Sequence, residues 1–190
     1  MRRSFPFRFH RDSLVAFPFL VLLALAGEAH GAGRDLVPFQ AEYGLSVGWF
    51  PLGKAVFRLD PVEGEDRYRA QVRARLLAMR NVEISEFSWN GCEPRTEAYF
   101  HEFRGLGMRR YHDMTFEWDE TPRVVNVDEE ESRTYEIPEH TLDEITVLLR
   151  SRCVFSEGAE DYVATTAYGN KVRTHKLRIA GRETIDGPHG

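Results

Sequence analysis

Histidines beside carboxylates are the residues of this sequence that could carry acid–base chemistry. They occur as His101-Glu102, as His112-Asp113 and as His140 ahead of Asp143 and Glu144. Strand neighbours point to opposite faces of a sheet, so the first two pairs cannot act directly as dyads. The third group is either an acid–base site or a helix start with acidic residues near its positive end, and we favour the helix start.

Other patterns that would indicate catalysis are missing from the sequence. There is no nucleophile elbow, no phosphate-binding glycine loop and no histidine pair at metal-ligand spacing. We therefore predict no catalytic residue, no metal and no cofactor, and we expect that the protein is not an enzyme.

Residues 134–153 form the one segment with helical rather than alternating periodicity. Thr141 and Glu144 stand at capping-box spacing, which would join each side chain to the backbone of the other residue. The sequence therefore predicts one helix, over about 141–153, with an apolar face that covers a sheet. The residues of that face are Leu142, Ile145, Leu148 and Leu149.

The only two cysteines are Cys92 and Cys153. In an oxidising compartment they would form a disulfide that closes a loop of about 60 residues. Two buried free thiols are the alternative, because a bridge requires the Cα atoms to lie within about 7 Å. Both alternatives stay open at this point.

An export signal occupies residues 1–31. Four arginines precede an apolar run of 13 residues, Leu14 to Ala26, and Ala29-His30-Gly31 supplies small residues for cleavage. The run is shorter than the roughly 20 residues that span a bilayer. We predict a periplasmic mature chain that starts near Ala32 and has no stable membrane span.

The predicted mature chain is acidic. Residues 1–31 hold four Arg, one Asp and one Glu, so 21 basic and 28 acidic residues remain, for a net charge of −7 with neutral His. Such a protein lacks the basic footprint of a nucleic-acid binder. Its net charge also predicts repulsion from an anionic membrane surface.

Alternation of apolar and polar residues predicts that the mature chain is a succession of strands joined by short turns. Val82 and Ile84 differ in parity from Phe87 and Trp89, which predicts a bulge near Ser85-Glu86. We predict one mainly β (α+β) domain over residues 36–190. Its architecture would be a strongly curved antiparallel meander or half-barrel with one helix packed on it.

One helix of about 12 residues is too short to cover a sheet of about nine strands. The uncovered inward residues would form an apolar surface unless the sheet fills itself, further strands cover it, or a ligand or partner binds. We predict that the sheet fills most of this face itself and that a ligand-sized groove remains between the helix and the strands. Its candidate residues are Tyr43, Trp49, Phe57, Tyr68, Phe116 and Trp118.

A cationic row alternates with apolar residues in one predicted strand. It consists of Arg67, Arg69, Arg73 and Arg75. The row either binds an anionic envelope component or is a solvated face balanced by acidic residues on neighbouring strands, and we favour the solvated face.

Several segments together resemble domain-of-unknown-function family 3108. They are Val37–Tyr43, Pro51–Ala55, Phe116–Asp119, Thr141–Arg150 and Gly181–Thr184, in matching order along the chain. The resemblance implies an exported protein of diderm bacteria and supplies no catalytic residue. Members continue with further strands beyond the last segment, which leaves open that this chain is truncated. In outline the architecture is also similar to the half-barrels of periplasmic lipoprotein carriers.

The sequence leaves three hypotheses for function. The first is a non-enzymatic envelope protein that binds a lipid or another apolar or amphiphilic ligand. The second is a structural or assembly factor that binds another envelope protein. The third is an envelope hydrolase whose catalytic residues come from distant strands.

Overall fold

The computed structural model describes residues 36–47, 49–64 and 66–181. The predicted signal segment and residues 182–190 lie outside the described residues. The elements in chain order are β1 (Phe39–Val47), β2 (Phe50–Pro61), β3 (Arg67–Leu76), β4 (Met79–Asn90), β5 (Glu93–Gly105), β6 (Met108–Glu117), β7 (Arg123–Val127), β8 (Ser132–Glu136), α1 (Thr146–Ser156), β9 (Asp161–Tyr168) and β10 (Lys171–Arg178). Over these described ranges, the predicted mainly β class with one helix is confirmed.

Strands β1 to β8 form one antiparallel sheet in sequence order, and the sheet does not close on itself. The predicted meander is therefore confirmed up to β8, whereas β9 and β10 form a separate hairpin. The segment before the helix joins the hairpin in parallel. The Leu142 amide donates to the Thr165 carbonyl, and the Ala167 amide donates to the Leu142 carbonyl, both at 2.9 Å.

The core lies between the inner face of the sheet and a layer formed by the helix and the hairpin. Inward residues of the central strands are buried, among them Phe57, Leu59, Phe87 and Met114. The covering layer contributes a second buried cluster of Leu142, Val147 and Ala164. Within the helix itself the buried residues are Thr146, Val147 and Leu149, so only Leu149 of the predicted apolar face is a buried helical residue.

The predicted change of phase in β4 is wrong. Asn81, Glu83, Ser85, Phe87 and Trp89 continue one alternation and all face inward, as their cross-strand partners show. A bulge is nevertheless present next to the predicted position, because the β4–β5 register shifts between Glu86 and Phe87. Its extra residue is Glu97 of β5, since Glu86 pairs with Ala98 and Phe87 pairs with Thr96. Polar residues can occupy the inner face because other inner-face groups hydrogen-bond to them.

The helix starts later than predicted, at Thr146 rather than Thr141, and ends at Ser156 rather than Cys153. The predicted capping box is also wrong, since the Thr141 hydroxyl donates to the Pro138 carbonyl at 2.6 Å. The carboxylate of Asp143 accepts the first amides of the helix. A residue of the predicted apolar face, Leu148, is exposed.

Among the described residues, no helix has both the length and the apolar character that crossing a bilayer requires.

Candidate functional site

Asp143 is a fully buried carboxylate where the segment before α1 meets the sheet. Its Oδ1 accepts the Ile145 and Thr146 amides at 2.7 and 3.0 Å. Its Oδ2 accepts hydroxyls of Ser85, Thr96 and Thr146 at 2.7 to 2.9 Å. Five donors around one carboxylate offset the cost of burying its charge and fix the start of the helix on β4 and β5.

A chain of hydrogen bonds links β4 and β5 to the hairpin. Glu83 accepts from Asn81 Nδ2 at 2.6 Å and from the Tyr99 hydroxyl at 3.0 Å. The other amide atom, Asn81 Oδ1, lies 2.7 Å from His101 Nε2, and His101 Nδ1 lies 2.8 Å from the Tyr168 hydroxyl. Because Asn81 Oδ1 can only accept, His101 is protonated on Nε2 and Tyr168 donates to Nδ1.

Burial controls protonation along this chain. It lowers the pKa of His101 to about 4, with the charge of His112 acting in the same direction. It raises the pKa of Glu83, against the hydrogen bonds from Asn81 and Tyr99. It also raises the pKa of Tyr168 to about 12. His101 and Tyr168 are therefore uncharged near neutral pH, which suits a chain of neutral hydrogen bonds.

The tip of the hairpin is held by further polar contacts. The Tyr135 hydroxyl donates to the Gly169 carbonyl at 2.7 Å, and Asn126 Nδ2 donates to Asn170 Oδ1 at 3.0 Å. A Cβ on Gly169 would lie 2.9 Å from Cε1 of His112, so the backbone here approaches an imidazole ring closely. The inner polar residues therefore fasten the hairpin onto the sheet.

The inner face is less completely covered along β1. Its inward residues Phe39, Ala41, Tyr43 and Leu45 alternate with exposed ones, yet all four are only half-buried. The hydroxyl of Tyr43 is enclosed and has no hydrogen-bond partner among the described residues. Burial raises the pKa of Tyr43, and the positive charge of Arg152 opposes that rise. This side of the sheet thus combines apolar residues, an unpaired hydroxyl and a nearby cation.

The six aromatic residues that were predicted to line a ligand groove do not lie together in the structure. Phe57 is buried against Phe39, with ring centroids 5.2 Å apart. Tyr68 stacks with Phe87 at 6.1 Å, and Phe116 stacks with Trp118 at the same distance.

Trp49 and Tyr43 complete the set. Trp49 is exposed in the turn after β1, so its predicted inward position is wrong. The strand pairing ends at Val47 and Phe50, which leaves no sheet for Trp49 to pack on. Of the six, Phe57 and Tyr43 lie toward the half-covered β1 side, and the other four do not join them.

Cys92 and Cys153 form a disulfide, with Cα atoms 5.7 Å apart, which decides between the two alternatives that the sequence left open. It joins the β4–β5 turn to the helix. Glu157 Oε1 lies 3.6 Å from the Cys92 sulfur, and these three residues are close enough together to resemble a metal-ligand set. Both sulfurs belong to the disulfide, so they are not available as thiolate ligands.

Two of the four arginines in the β3 row pair with carboxylates. Arg67 pairs with Glu97, and Arg69 Nε donates to Glu86 at 2.9 Å. An open pocket of about 700 Å³ on this outer face has a mixed lining, which includes Arg69, Arg73, Glu86 and Asp113. These contacts agree with the solvated-face interpretation near the middle of the sheet.

The sequence reading missed the inner polar residues altogether. They include Asn81, Glu83, Ser85, Thr96 and Tyr99. The sequence contained one indication of their position. Extending the alternation of Phe87 and Trp89 backward along β4 places Asn81, Glu83 and Ser85 on the inward face.

Comparisons with known proteins identify a family for the chain. No curated protein and no solved structure shows significant similarity to the chain. The family described as "Protein of unknown function (DUF3108)" matches residues 39–190, well over half of the sequence. The chain therefore belongs to the DUF3108 family.

Proposed function

We propose that this protein is an exported, periplasmic protein of the cell envelope that binds an apolar or amphiphilic ligand on the β1 side of its sheet. The observation that carries the proposal is the enclosed, unpaired hydroxyl of Tyr43 within an apolar row. Buried polar groups are normally hydrogen-bonded, so an unpaired one calls for a partner. A ligand with a polar head and an apolar tail would supply both kinds of contact.

The charge of Arg152 favours an anionic head group, as in a fatty acid. The half-buried Phe39 and Leu45 would contact the tail, with a free-energy gain of about 25 cal/mol per Å² of apolar surface removed from water. We propose binding rather than catalysis, because His101 and Tyr168 hydrogen-bond to each other. Neither group is therefore offered to a substrate.

Titration of purified mature protein with a fluorescent fatty-acid probe tests the ligand. We expect saturable binding that Tyr43→Phe and Leu45→Asn each weaken. Val163→Asn is the matched control, because the exposed Val163 belongs to β9 and not to the proposed groove, and it should bind the probe normally. The proposal is contradicted if the folded protein shows no saturable binding of the probe, or if neither groove variant changes the affinity. Either result favours a protein partner.

Export rests on the signal-like residues 1–31 and agrees with the disulfide, which persists in oxidising compartments. Intact-mass measurement of periplasmic protein should give a chain that starts within a few residues of Ala32. A chain that keeps Met1 and remains in the membrane fraction contradicts it.

A further inference from the structure

One end of the eight-stranded sheet is bordered by apolar hairpin turns. The turns after β1, β3 and β5 share this end because consecutive strands are antiparallel. Each turn exposes a large apolar side chain: Trp49 is 87% exposed, Leu77 76% and Leu106 74%. We call these three residues, together with the exposed residues Val47, Phe50 and Met108 beside them, the hairpin rim.

The backbone makes the two leucines more unusual. Leu77 and Leu106 have φ angles of 48° and 54°, in the left-handed region. Two-residue hairpin turns favour Asn, Asp or Gly at such positions, because a large side chain is strained there. Each leucine is therefore unfavourable both for the turn and for hydration. A role in binding explains why an apolar side chain occupies each tip.

A row of cations runs directly behind the hairpin rim. The strand registers pair Lys54 with Arg75, Arg75 with Arg80, Arg80 with Arg104, and Arg104 with Arg109. These five residues are exposed and share the outer face. Like charges directly opposite each other destabilise a sheet, so five in a row across five strands disfavour folding. We call them the cation row.

The carboxylates near the cation row neutralise it only in part. Lys54 pairs with Glu42, while Arg104 and Arg109 share Glu102 at 2.7 and 3.0 Å. Arg109 also lies 3.9 Å from Glu129 of the β7–β8 turn. Within the described ranges, Arg75 and Arg80 at the centre of the row have no ion-pair partner. The centre of the row therefore offers two guanidinium groups to external anions.

We propose that the hairpin rim and the cation row form a surface that docks on an anionic phospholipid bilayer. Trp49, Leu77 and Leu106 would enter the interfacial layer, where tryptophan is favoured. The cation row would lie at the depth of the lipid phosphates, which guanidinium groups bind with two hydrogen bonds. A bilayer matches this pattern because it presents apolar and phosphate layers at fixed depths along the whole rim. The proposal does not rest on the proposed ligand.

The fourth turn at this end sets the orientation. Residues 128–131 read Asp-Glu-Glu-Glu and follow β7. These carboxylates would be repelled by anionic lipid, so the protein would dock with the β1–β6 side down and the β7–β8 turn raised. The net charge of −7 for the predicted mature chain acts over the whole molecule, whereas the cation row acts at contact.

Co-sedimentation with vesicles tests this surface. We expect the mature protein to bind vesicles of equal parts phosphatidylglycerol and phosphatidylcholine, with weaker binding to pure phosphatidylcholine. Leu77→Asn with Leu106→Asn should lower the affinity about tenfold or more. The same change should leave the melting temperature unchanged or higher, because asparagine tolerates the left-handed conformation. Val37→Asn, which replaces an equally exposed valine before β1, is the matched control.

A second variant tests the charges. Arg75→Gln with Arg80→Gln should lower the affinity about tenfold or more. Arg69→Gln with Arg73→Gln removes the same charge from the same outer face, farther from the hairpin rim, and should have a much smaller effect. Added salt should weaken binding. The proposal fails if the folded wild type does not bind anionic vesicles, or if the leucine variant binds them as tightly as the Val37 control. It also fails if the two arginine variants bind with the same affinity. Loss of a dimer in the leucine variant, without vesicle binding by either protein, would assign the rim to a second copy instead.

Discussion

The Nδ1 atom of His101 lies 2.8 Å from the hydroxyl of Tyr168, which joins the middle of the sheet to the end of β9. The two residues are 67 positions apart in the sequence. Their rings also pack, with centroids 5.5 Å apart. This contact joins the inner polar chain directly to the hairpin, so it is the place to test whether the hairpin depends on that chain.

We expect Tyr168→Phe to lower the free energy of unfolding by about 1–3 kcal/mol, because it leaves a buried imidazole nitrogen without its donor. Urea denaturation measures the change. Tyr43→Phe is the matched control, since the Tyr43 hydroxyl has no partner within the described part of the chain, and it should change stability little. Equal losses in the two variants would mean that the His101 contact does not stabilise the fold.

The same histidine should make stability depend on pH. The pKa of His101 is about 4 in the folded protein against 6.5 for an unperturbed histidine, so the unfolded state takes up the proton first as pH falls. The stabilisation is complete above pH 6.5 and is lost between pH 6.5 and about 4. Its full size is roughly 3 kcal/mol.

Urea denaturation across this pH range checks the prediction, with His101→Gln as the comparison. Glu83 acts in the opposite direction, because its raised pKa favours the folded state as pH falls through the acidic range. The pKa of His112 is also lowered by burial, so it adds to the loss. We expect the wild type to lose more stability than His101→Gln between neutral pH and pH about 4. Parallel curves for the two proteins would contradict this assignment.

A third prediction separates the observed helix start from the predicted one. Asp143→Ala removes an acceptor of five hydrogen bonds and leaves buried hydroxyls unpaired, so it should cost about 3–5 kcal/mol. Thr141→Ala removes one hydrogen bond to Pro138 and should cost about 1 kcal/mol. Thermal and urea unfolding measure both. A larger loss for Thr141→Ala would restore Thr141 as the helix cap.

The fold class could be predicted because alternation fixes which face of each strand is buried. In β1 the pattern from Phe39 to Leu45 matches the observed alternation residue by residue. The pattern fails at Trp49, where the same parity continues beyond the last paired residues of the β1–β2 ladder. Sequence parity carries no information on where a ladder ends.

The candidate site could not be predicted for a different reason. Ser85 faces inward because Asp143 accepts its hydroxyl, and these residues are 58 positions apart. A local pattern predicts that Ser85 and Glu83 face outward because both are polar. The partners that make their burial favourable lie far along the chain, at the helix start and in β5. The prediction from sequence therefore reversed the inward and outward residues of β4 between Asn81 and Ser85. It attributed the resulting change of phase to β4 itself.

The last prediction concerns the disulfide, which the sequence left open and the structure forms between Cys92 and Cys153. Their separation of 61 residues corresponds to a stabilisation of about 4 kcal/mol in the chain-entropy model. The bridge joins the β4–β5 turn to α1, so its loss should loosen the helix before the sheet. Reductant should lower the melting temperature of the wild type, and Cys153→Ser should melt near the reduced wild type without responding to reductant. Cys153→Ser is preferable to Cys92→Ser because Cys92 has a φ of 75°, so a substitution there also alters a strained turn. Two titratable thiols in the unfolded, unreduced protein, with a melting temperature indifferent to reductant, would show that the bond is absent in solution.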